Sequence, residues 1–188
     1  IQTLAARCDT MEQKLLAMGN SMNRYRRKFD VGKWMCDTGV PSQSLWEWIA
    51  SLTVSDTDFD TYAQYKLGDA VIEMFTCFIR EYKGTSPVRS VTARPNKLYA
   101  WDGTAYAQIN GDDMSRIVSE LIKKLYAGLV RWGVRMESAM KRREYCLEYA
   151  KIAKRFSSKN SQLLVRRVKN SVCGAIAERT ELIVMDAA

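Results

Sequence analysis

Apolar residues recur at three- and four-residue intervals through most of this 188-residue chain, and that spacing limits the folds open to it. Residues at such intervals lie on one side of an α-helix. The pattern is clearest from Tyr65 to Tyr82 and from Met114 to Val130. Hydrophobic residues make up 47% of the chain and prolines number only three, so a sizeable core is available. The sequence predicts a mainly α protein, a helical bundle-like single domain.

One segment departs from the helical spacing. Residues 98–101 and 104–109 each read as a short strand, and Asp102-Gly103 lies between them. An Asp-Gly pair between two such strands is a strong signal for a tight hairpin turn. We therefore expect one small β-hairpin, at about residues 98–109, in an otherwise helical protein.

Capping residues and glycines mark the ends of the predicted helices. Ser42 or Ser44 is expected to cap a short second helix, and Thr57 or Asp58 a long third one. Glycines near the end of the fourth helix predict a bend or break at about residues 131–133. The helices are expected at about residues 4–18, 44–52, 58–82, 112–130, 138–156 and 161–179.

The positive charge is concentrated near the carboxyl end. The net charge is +8, and residues 121–188 alone carry fifteen basic and six acidic groups. A surface of this sign attracts polyanions, of which nucleic acid is the commonest. The alternative is a solvated helix face with no ligand. The cations predicted to contact nucleic acid here are Arg142, Arg143, Lys151, Lys154, Arg155, Arg166, Arg167 and Lys169.

A second basic cluster lies near the amino end. Arg24, Arg26 and Arg27 are interleaved with Tyr25 and followed by Phe29. Cations beside aromatic rings hold phosphates and stack bases, although a helix end with cations in water fits equally well. We expect one nucleic-acid-binding domain over residues 1–188. Its parts are an N-terminal helix and basic segment (1–35), a core (42–140) and basic C-terminal helices (141–188).

The residues that are missing exclude much enzyme chemistry. The chain has no histidine, which rules out a Ser-His-Asp triad, a Cys-His dyad and imidazole-dependent zinc sites. Its five cysteines show no C-x-x-C spacing, so free thiols in a reducing compartment are expected. No apolar run approaches the length of a membrane span. We expect no enzymatic activity, no cofactor, no bound metal and no membrane contact.

Residues 67–73, Leu-Gly-Asp-Ala-Val-Ile-Glu, resemble the signature helix of ribonuclease III enzymes. In that family Asp and Glu hold a divalent metal that activates water on a phosphodiester. Asp69 and Glu73 are four residues apart and share a helix face. The family's earlier acidic positions are Tyr62 and Tyr65 here. A degenerate ribonuclease III-like protein is therefore one alternative, and ordinary surface carboxylates are another.

Three short motifs, in order, resemble the coat proteins of flexible filamentous plant RNA viruses. They are Gly-Thr-Ser-Pro at residues 84–87, Trp-Asp-Gly at 101–103, and Arg-Glu-Tyr-Cys-Leu-Glu-Tyr-Ala-Lys-Ile at 143–152. The resemblance implies a helical nucleocapsid subunit of a virion in the host cytoplasm. It implies a homo-oligomeric filament in which single-stranded RNA is bound by its backbone; DNA stays possible as the ligand.

The same resemblance assigns roles to individual residues. Ser86 would contact an RNA phosphate, and Arg143 would hydrogen-bond to a phosphate or to a buried acid. The acid available for that pairing is Asp186, although the aromatic residues that flank the acid in the family are missing here. The alternatives are that Ser86 caps or turns the chain and that Arg143 is a solvated cation.

A second resemblance covers the hairpin and the helix that follows it. Residues 98–106 followed by the helix from Asp112 to Leu125 are similar to the helical segment ahead of the helicase core in phage and poxvirus-type primase-helicases. No GxxxxGK[ST] phosphate loop is present. This similarity implies an accessory domain that contacts DNA and has no catalysis of its own.

Overall fold

The structure is a computed structural model that describes residues 11–18, 30–157 and 162–178. Within these ranges the order of elements begins with helices and has a small sheet in the middle. The helices before the sheet are α1 (residues 11–18), α2 (Val31–Thr38), α3 (Leu45–Ser51), α4 (Asp56–Tyr62) and α5 (Leu67–Glu81). The strands are β1 (Val88–Val91), β2 (Leu98–Trp101), β3 (Tyr106–Gln108) and β4 (Ala177–Glu178). The remaining helices are α6 (Gly111–Ala139), α7 (Arg142–Phe156) and α8 (Gln162–Ile176). The prediction of a mainly α protein is confirmed.

Serine caps start two of the short helices. Ser44 caps α3 and forms a reciprocal capping box with Glu47. Of the two caps predicted for this helix, Ser42 and Ser44, the structure has Ser44. α4 is capped by Ser55, whose hydroxyl accepts a hydrogen bond from the Asp58 amide. The prediction of Thr57 or Asp58 as the cap is therefore wrong. Asp58 lies three residues into the helix, where its carboxylate reaches back to Ser55.

The long helix predicted from about residue 58 to Tyr82 is in fact two helices. α4 ends at Tyr62 and α5 starts at Leu67. A tight turn joins them, in which the Tyr65 amide bonds to the Tyr62 carbonyl at 3.1 Å. Because the chain turns here, Phe59 on α4 and Leu67 on α5 are both buried.

The predicted hairpin is confirmed and belongs to a larger sheet. β2 and β3 pair antiparallel around the turn at Gly103, where the Asp102 carboxylate accepts hydrogen bonds from two backbone amides. These bonds lower the pKa of Asp102. β1 pairs antiparallel with β2 and parallel with β4, giving the order β3-β2-β1-β4. The sequence did not predict β1 or β4.

Two apolar clusters hold the fold together. The main cluster contains residues from every helix from α3 through α8. Phe59, Phe75 and Phe156 are among them, and each is essentially inaccessible to solvent. The smaller cluster packs α2 against the sheet through Met35 and Trp101, among others. α8 lies against α5, α6 and β1, whereas α7 packs on α6. The basic C-terminal helices therefore contribute to the core as well as to the surface.

α6 passes through residues 131–133 without interruption, so the predicted break is wrong. The glycines in it serve close packing. A Cβ atom at Gly128 would lie 2.5 Å from the ring of Phe59 on α4, and one at Gly133 would lie 3.3 Å from both Tyr145 and Tyr149 on α7. With 29 residues, α6 is about 43 Å long and forms the support on which α4 and α7 pack.

Candidate nucleic-acid interface

α7 has an inner and an outer face. Ile152 and Phe156 are buried, and Tyr145 and Tyr149 pack partly buried beside them at helical spacing. The Tyr145 ring stacks on Trp132 of α6, and burial raises the pKa of its hydroxyl. The aromatic residues of α7 are thus committed to the interior. Its helical spacing leaves charge and an exposed leucine on the opposite side.

The outer face of α7 carries Arg143, Leu147 and Lys154, all exposed. Positions at these intervals lie on one side of a helix. Arg143 and Lys154 are separated by three turns, or about 16 Å along the helix axis. Lys151 lies beside this row and is also exposed. A polyanion running along the helix would meet several of these cations in succession.

The first turn of α7 concentrates positive charge. Lys141 is the N-cap and makes no side-chain capping bond, and Arg142 and Arg143 follow it. Cations at the N-terminus of a helix are repelled by the positive end of the helix dipole and by the unpaired backbone N–H groups there. Within the described residues, these three side chains form no ion pair, although Glu144 lies in the same turn. This arrangement is unfavourable for helix stability.

Other predicted binding residues have partners inside the protein. Lys151 pairs with Glu148 at 2.5 Å. The Arg155 guanidinium donates to the Ala63 carbonyl at the end of α4, at 2.8 Å. Arg167 pairs with Asp69 of α5 at 2.5 Å. These cations link helices or pair within one helix. The predicted binding residues therefore form two groups: those with a partner inside the protein, and those with none among the described residues.

Several basic residues of α6 also have partners inside the protein. Arg135 pairs with Asp60 at 2.5 Å and with Asp56 at 3.4 Å, and Arg131 lies 3.7 Å from Asp56. Lys124 donates to the Leu52 carbonyl at 2.7 Å, and burial lowers its pKa. Three of the fifteen cations of the last third therefore hold α3 and α4 against α6.

On α8, Arg166 is exposed and Lys169 is half-buried. Neither forms an ion pair among the residues that the structure describes. α8 packs mainly on α5, and α7 mainly on α6, so these cations belong to a different part of the surface from the row on α7. The α7 row is the part of the predicted interface with the clearest geometry.

Ser86 lies in a turn just before β1. Its hydroxyl donates to the Val88 carbonyl at 2.9 Å and accepts from the Val88 amide at 3.2 Å. Its own carbonyl accepts a hydrogen bond from the Tyr106 hydroxyl at 2.6 Å. These are the contacts of a turn residue. Arg24, Arg26, Arg27 and Asp186, the other predicted site residues, lie outside the described residues.

The carboxylates of the ribonuclease III-like helix do not converge on a metal site. Asp69 is paired with Arg167, and Glu73 accepts a hydrogen bond from the Cys77 thiol at 3.6 Å. Among the described residues no group of three His, Cys, Asp or Glu side chains could hold a metal ion. The four described cysteines are free thiols, and burial raises the pKa of Cys77 and Cys173.

The structure also contains a cleft that the sequence did not predict. It has a volume of about 340 Å³ and lies between the start of α2 and the sheet, lined in part by Arg94, Lys97, Tyr99 and Asp30. Arg94 and Lys97, in the turn between β1 and β2, are the sequence feature that could have indicated this cleft. Because the sequence did not predict β1, it gave no reason to place these two cations beside α2.

Comparison with models of known families, with curated protein sequences and with solved structures finds no match for this chain. None of the helices in the described ranges is long and apolar enough to cross a lipid bilayer.

Proposed function

We propose that this protein binds single-stranded nucleic acid through the phosphate backbone, without catalysis, and that its ligand is RNA packaged by a coat or nucleocapsid subunit. The observation that carries the proposal is the group of exposed cations in the first turn of α7, continued by Lys154 on the same helix. Their position is unfavourable for the helix itself and is suited to an anion.

Binding of this kind is expected to be indifferent to sequence. Lys and Arg neutralise phosphates and release counterions whatever the bases are. The tyrosines of α7 pack against α6, so this helix offers no aromatic platform on which bases stack. Modest affinity for each subunit is sufficient where many subunits bind one strand, because later contacts become intramolecular.

A second candidate is an accessory domain of a viral or phage primase-helicase. The observation in its favour is that the β2–β3 hairpin leads directly into α6, which Asn110 caps, in one continuous segment. That is the order of elements on which the primase-helicase resemblance depends. It predicts binding to DNA as discrete particles rather than filaments.

The test compares labelled single-stranded RNA, single-stranded DNA and duplexes of about 20 nucleotides, longer than common site sizes, by fluorescence anisotropy across a salt series. We expect binding to single strands of unrelated sequence, with affinity falling steeply with salt. Absence of salt-dependent binding to any of them would overturn the proposal.

Electron microscopy separates the two candidates. Protein mixed with long RNA should form flexuous rods if it is a coat subunit and discrete particles if it is an accessory domain. A nuclease assay with Mg²⁺ and duplex RNA covers the enzymatic alternative. Cleavage that is lost in Asp69→Asn would replace both proposals with a ribonuclease III-like activity.

A further inference from the structure

The outward side of the second half of α6 is apolar and largely exposed. Tyr126, Val130 and Val134 are 41%, 61% and 71% exposed, and Ala127 between them is exposed as well. Four such residues at intervals of three and four form one stripe along the helix. Apolar stripes on a surface helix normally pack against another element. Among the described residues, α7 contacts the Tyr126 end of the stripe. The Tyr126 ring packs edge-on against Phe156, and its hydroxyl donates to the Phe156 carbonyl at 2.9 Å. Val130 and Val134 stay mostly exposed.

The charged residues at the ends of the stripe are arranged symmetrically. Lys123 lies seven residues before Val130 and Glu137 lies seven residues after it, and both are exposed. Lys123 also pairs with Glu120 of its own helix at 2.7 Å, and an exposed pair of this kind is weak enough to exchange partners. Tyr126 and Val134 lie four residues to either side of the same valine. The intervals along this seam average three and a half residues, the repeat of paired helices.

We infer that a second copy of this chain covers the stripe, with the two α6 helices antiparallel and Val130 on the two-fold axis. In this arrangement Val130 meets Val130 of the other copy, Tyr126 meets Val134, and Lys123 meets Glu137. Each contact then occurs twice, as a two-fold interface requires. A parallel pair would instead bring Lys123 against Lys123 and Glu137 against Glu137, which like-charge repulsion disfavours.

The length of the seam sets the strength of the dimer. From Lys123 to Glu137 it covers four turns, about 21 Å. Stable interfaces generally bury about 1,200 Å² or more in total, and one helix pair of this length provides less. The dimer is therefore weak and concentration-dependent. It forms without nucleic acid, and its existence does not depend on the function proposed above.

Disulfide trapping tests the axis directly. Val130→Cys, in the full chain with Cys146→Ser, should form a covalent dimer on mild oxidation, because residue 130 faces itself. Val134→Cys is the matched control. Its two copies are about 12 Å apart along the axis, beyond the Cα separation of about 7 Å that a disulfide spans. The Cys146→Ser protein measures the background from the native thiols.

Dimers from Val130→Cys alone would support the inference. Equal crosslinking of both variants, or of neither, would overturn it. If the thiol introduced by Val130→Cys is unlinked and also protected from a thiol reagent in a monomeric protein, a segment of the same chain covers the stripe and the dimer is excluded.

Charge reversal tests the pairing at the ends. By sedimentation, Lys123→Glu and Glu137→Lys should each weaken self-association about tenfold or more, because each sets like charges opposite one another at both ends of the seam. The double variant should restore association to near the starting level. Failure of the double variant to recover would contradict the antiparallel register.

Discussion

Two groups of basic side chains in the last third of the protein differ in what they contact. The held group, represented by Arg135, Arg155 and Arg167, reaches acceptors on α4 and α5. The outer group, represented by Arg143 and Lys154, lies on the solvent side of α7, with no ion pair in the described residues. Basic residues that are close in sequence therefore have different roles: some link helices, and others lie exposed to solvent.

The difference has an energetic reason. The Ala63 carbonyl that Arg155 reaches is partly buried, so removing Arg155 leaves it without its hydrogen bond. The Asp60 and Asp69 carboxylates are nearly half exposed, so losing their ion pairs costs less. An outer cation has water around it and contributes little to folding, but it attracts a polyanion over a distance of about a Debye length. When both quantities are measured on the same variants, removing a held cation should lower stability, and removing an outer cation should lower nucleic-acid affinity.

The largest effect is expected from removing the outer group. Replacing Arg143 and Lys154 of the outer face, together with the exposed Arg142 of the first turn, by Gln should reduce affinity for single-stranded RNA roughly fiftyfold at about 0.15 M salt, from the loss of three phosphate contacts. The slope of log affinity against log salt should fall by about 2. The free energy of unfolding should change by less than about 0.5 kcal/mol, as is usual at exposed positions.

A matched variant controls for net charge. Lys33, Arg80 and Lys83 are exposed cations outside the last third of the chain, and their replacement by Gln removes the same charge. We expect a much smaller loss of RNA affinity, measured in the same salt series. Equal losses in the two triple variants would mean that overall charge, and not the row on α7, determines binding.

The second largest effect concerns how the held group is positioned. Phe59 of α4 packs closely against Gly128 on α6, and Arg135 of α6 pairs with Asp60 on the same helix α4. Gly128→Ala would place a methyl group 2.5 Å from the Phe59 ring and should destabilise the fold by about 1–3 kcal/mol in denaturant titration.

Gly174→Ala in α8 is the control for this substitution. It is also a glycine inside a helix, and no atom lies within 4 Å of its added Cβ. It should raise stability by about 0.5–1 kcal/mol, because alanine favours the helix. A stabilising Gly128→Ala would show that the close approach of α4 is not required.

A held cation removed singly should affect stability rather than binding. Arg155→Met keeps much of the aliphatic packing and deletes the hydrogen bond to the Ala63 carbonyl. Unfolding should become easier by about 1 kcal/mol, with RNA affinity nearly unchanged. Lys154→Met is the neighbouring control and should give the opposite result. If Arg155→Met lowers affinity as much as Lys154→Met, the division between held and outer groups fails on α7.

The local elements of this fold were largely predictable, whereas its long-range pairings were not. Asp102-Gly103 between two short strands predicted the β2–β3 hairpin, because a tight turn is encoded within a few residues. β1 was missed since its four residues are all buried and show no alternation. Its parallel partner β4 follows α8, far along the chain.

The same limit applies to the candidate site. Amphipathic spacing predicted that α7 and α8 would place cations outside an apolar underside, as they do. It did not predict which cations have partners. Arg167 and Asp69 are 98 residues apart, and Arg155 reaches a carbonyl 92 residues away. Those pairs exist only once α8 has packed on α5 and α7 has come close to the end of α4. Charge counted along the sequence therefore overestimates the charge available to a ligand.

The smallest effect tests whether a cation that is paired within α7 can join the outer group. Lys151 lies beside the outer face of α7, and its pairing with Glu148 occurs within one turn of the helix. Glu148→Gln removes the carboxylate and leaves Lys151 in place. Because exposed pairs of this kind contribute only about 0.2–0.5 kcal/mol, stability should hardly change. RNA affinity should rise by a few-fold at most, with a salt slope steeper by about 0.7. Glu120→Gln, which releases Lys123 on α6 in the same way, should leave the slope unchanged. An equal increase from both variants would place the binding surface on more than α7.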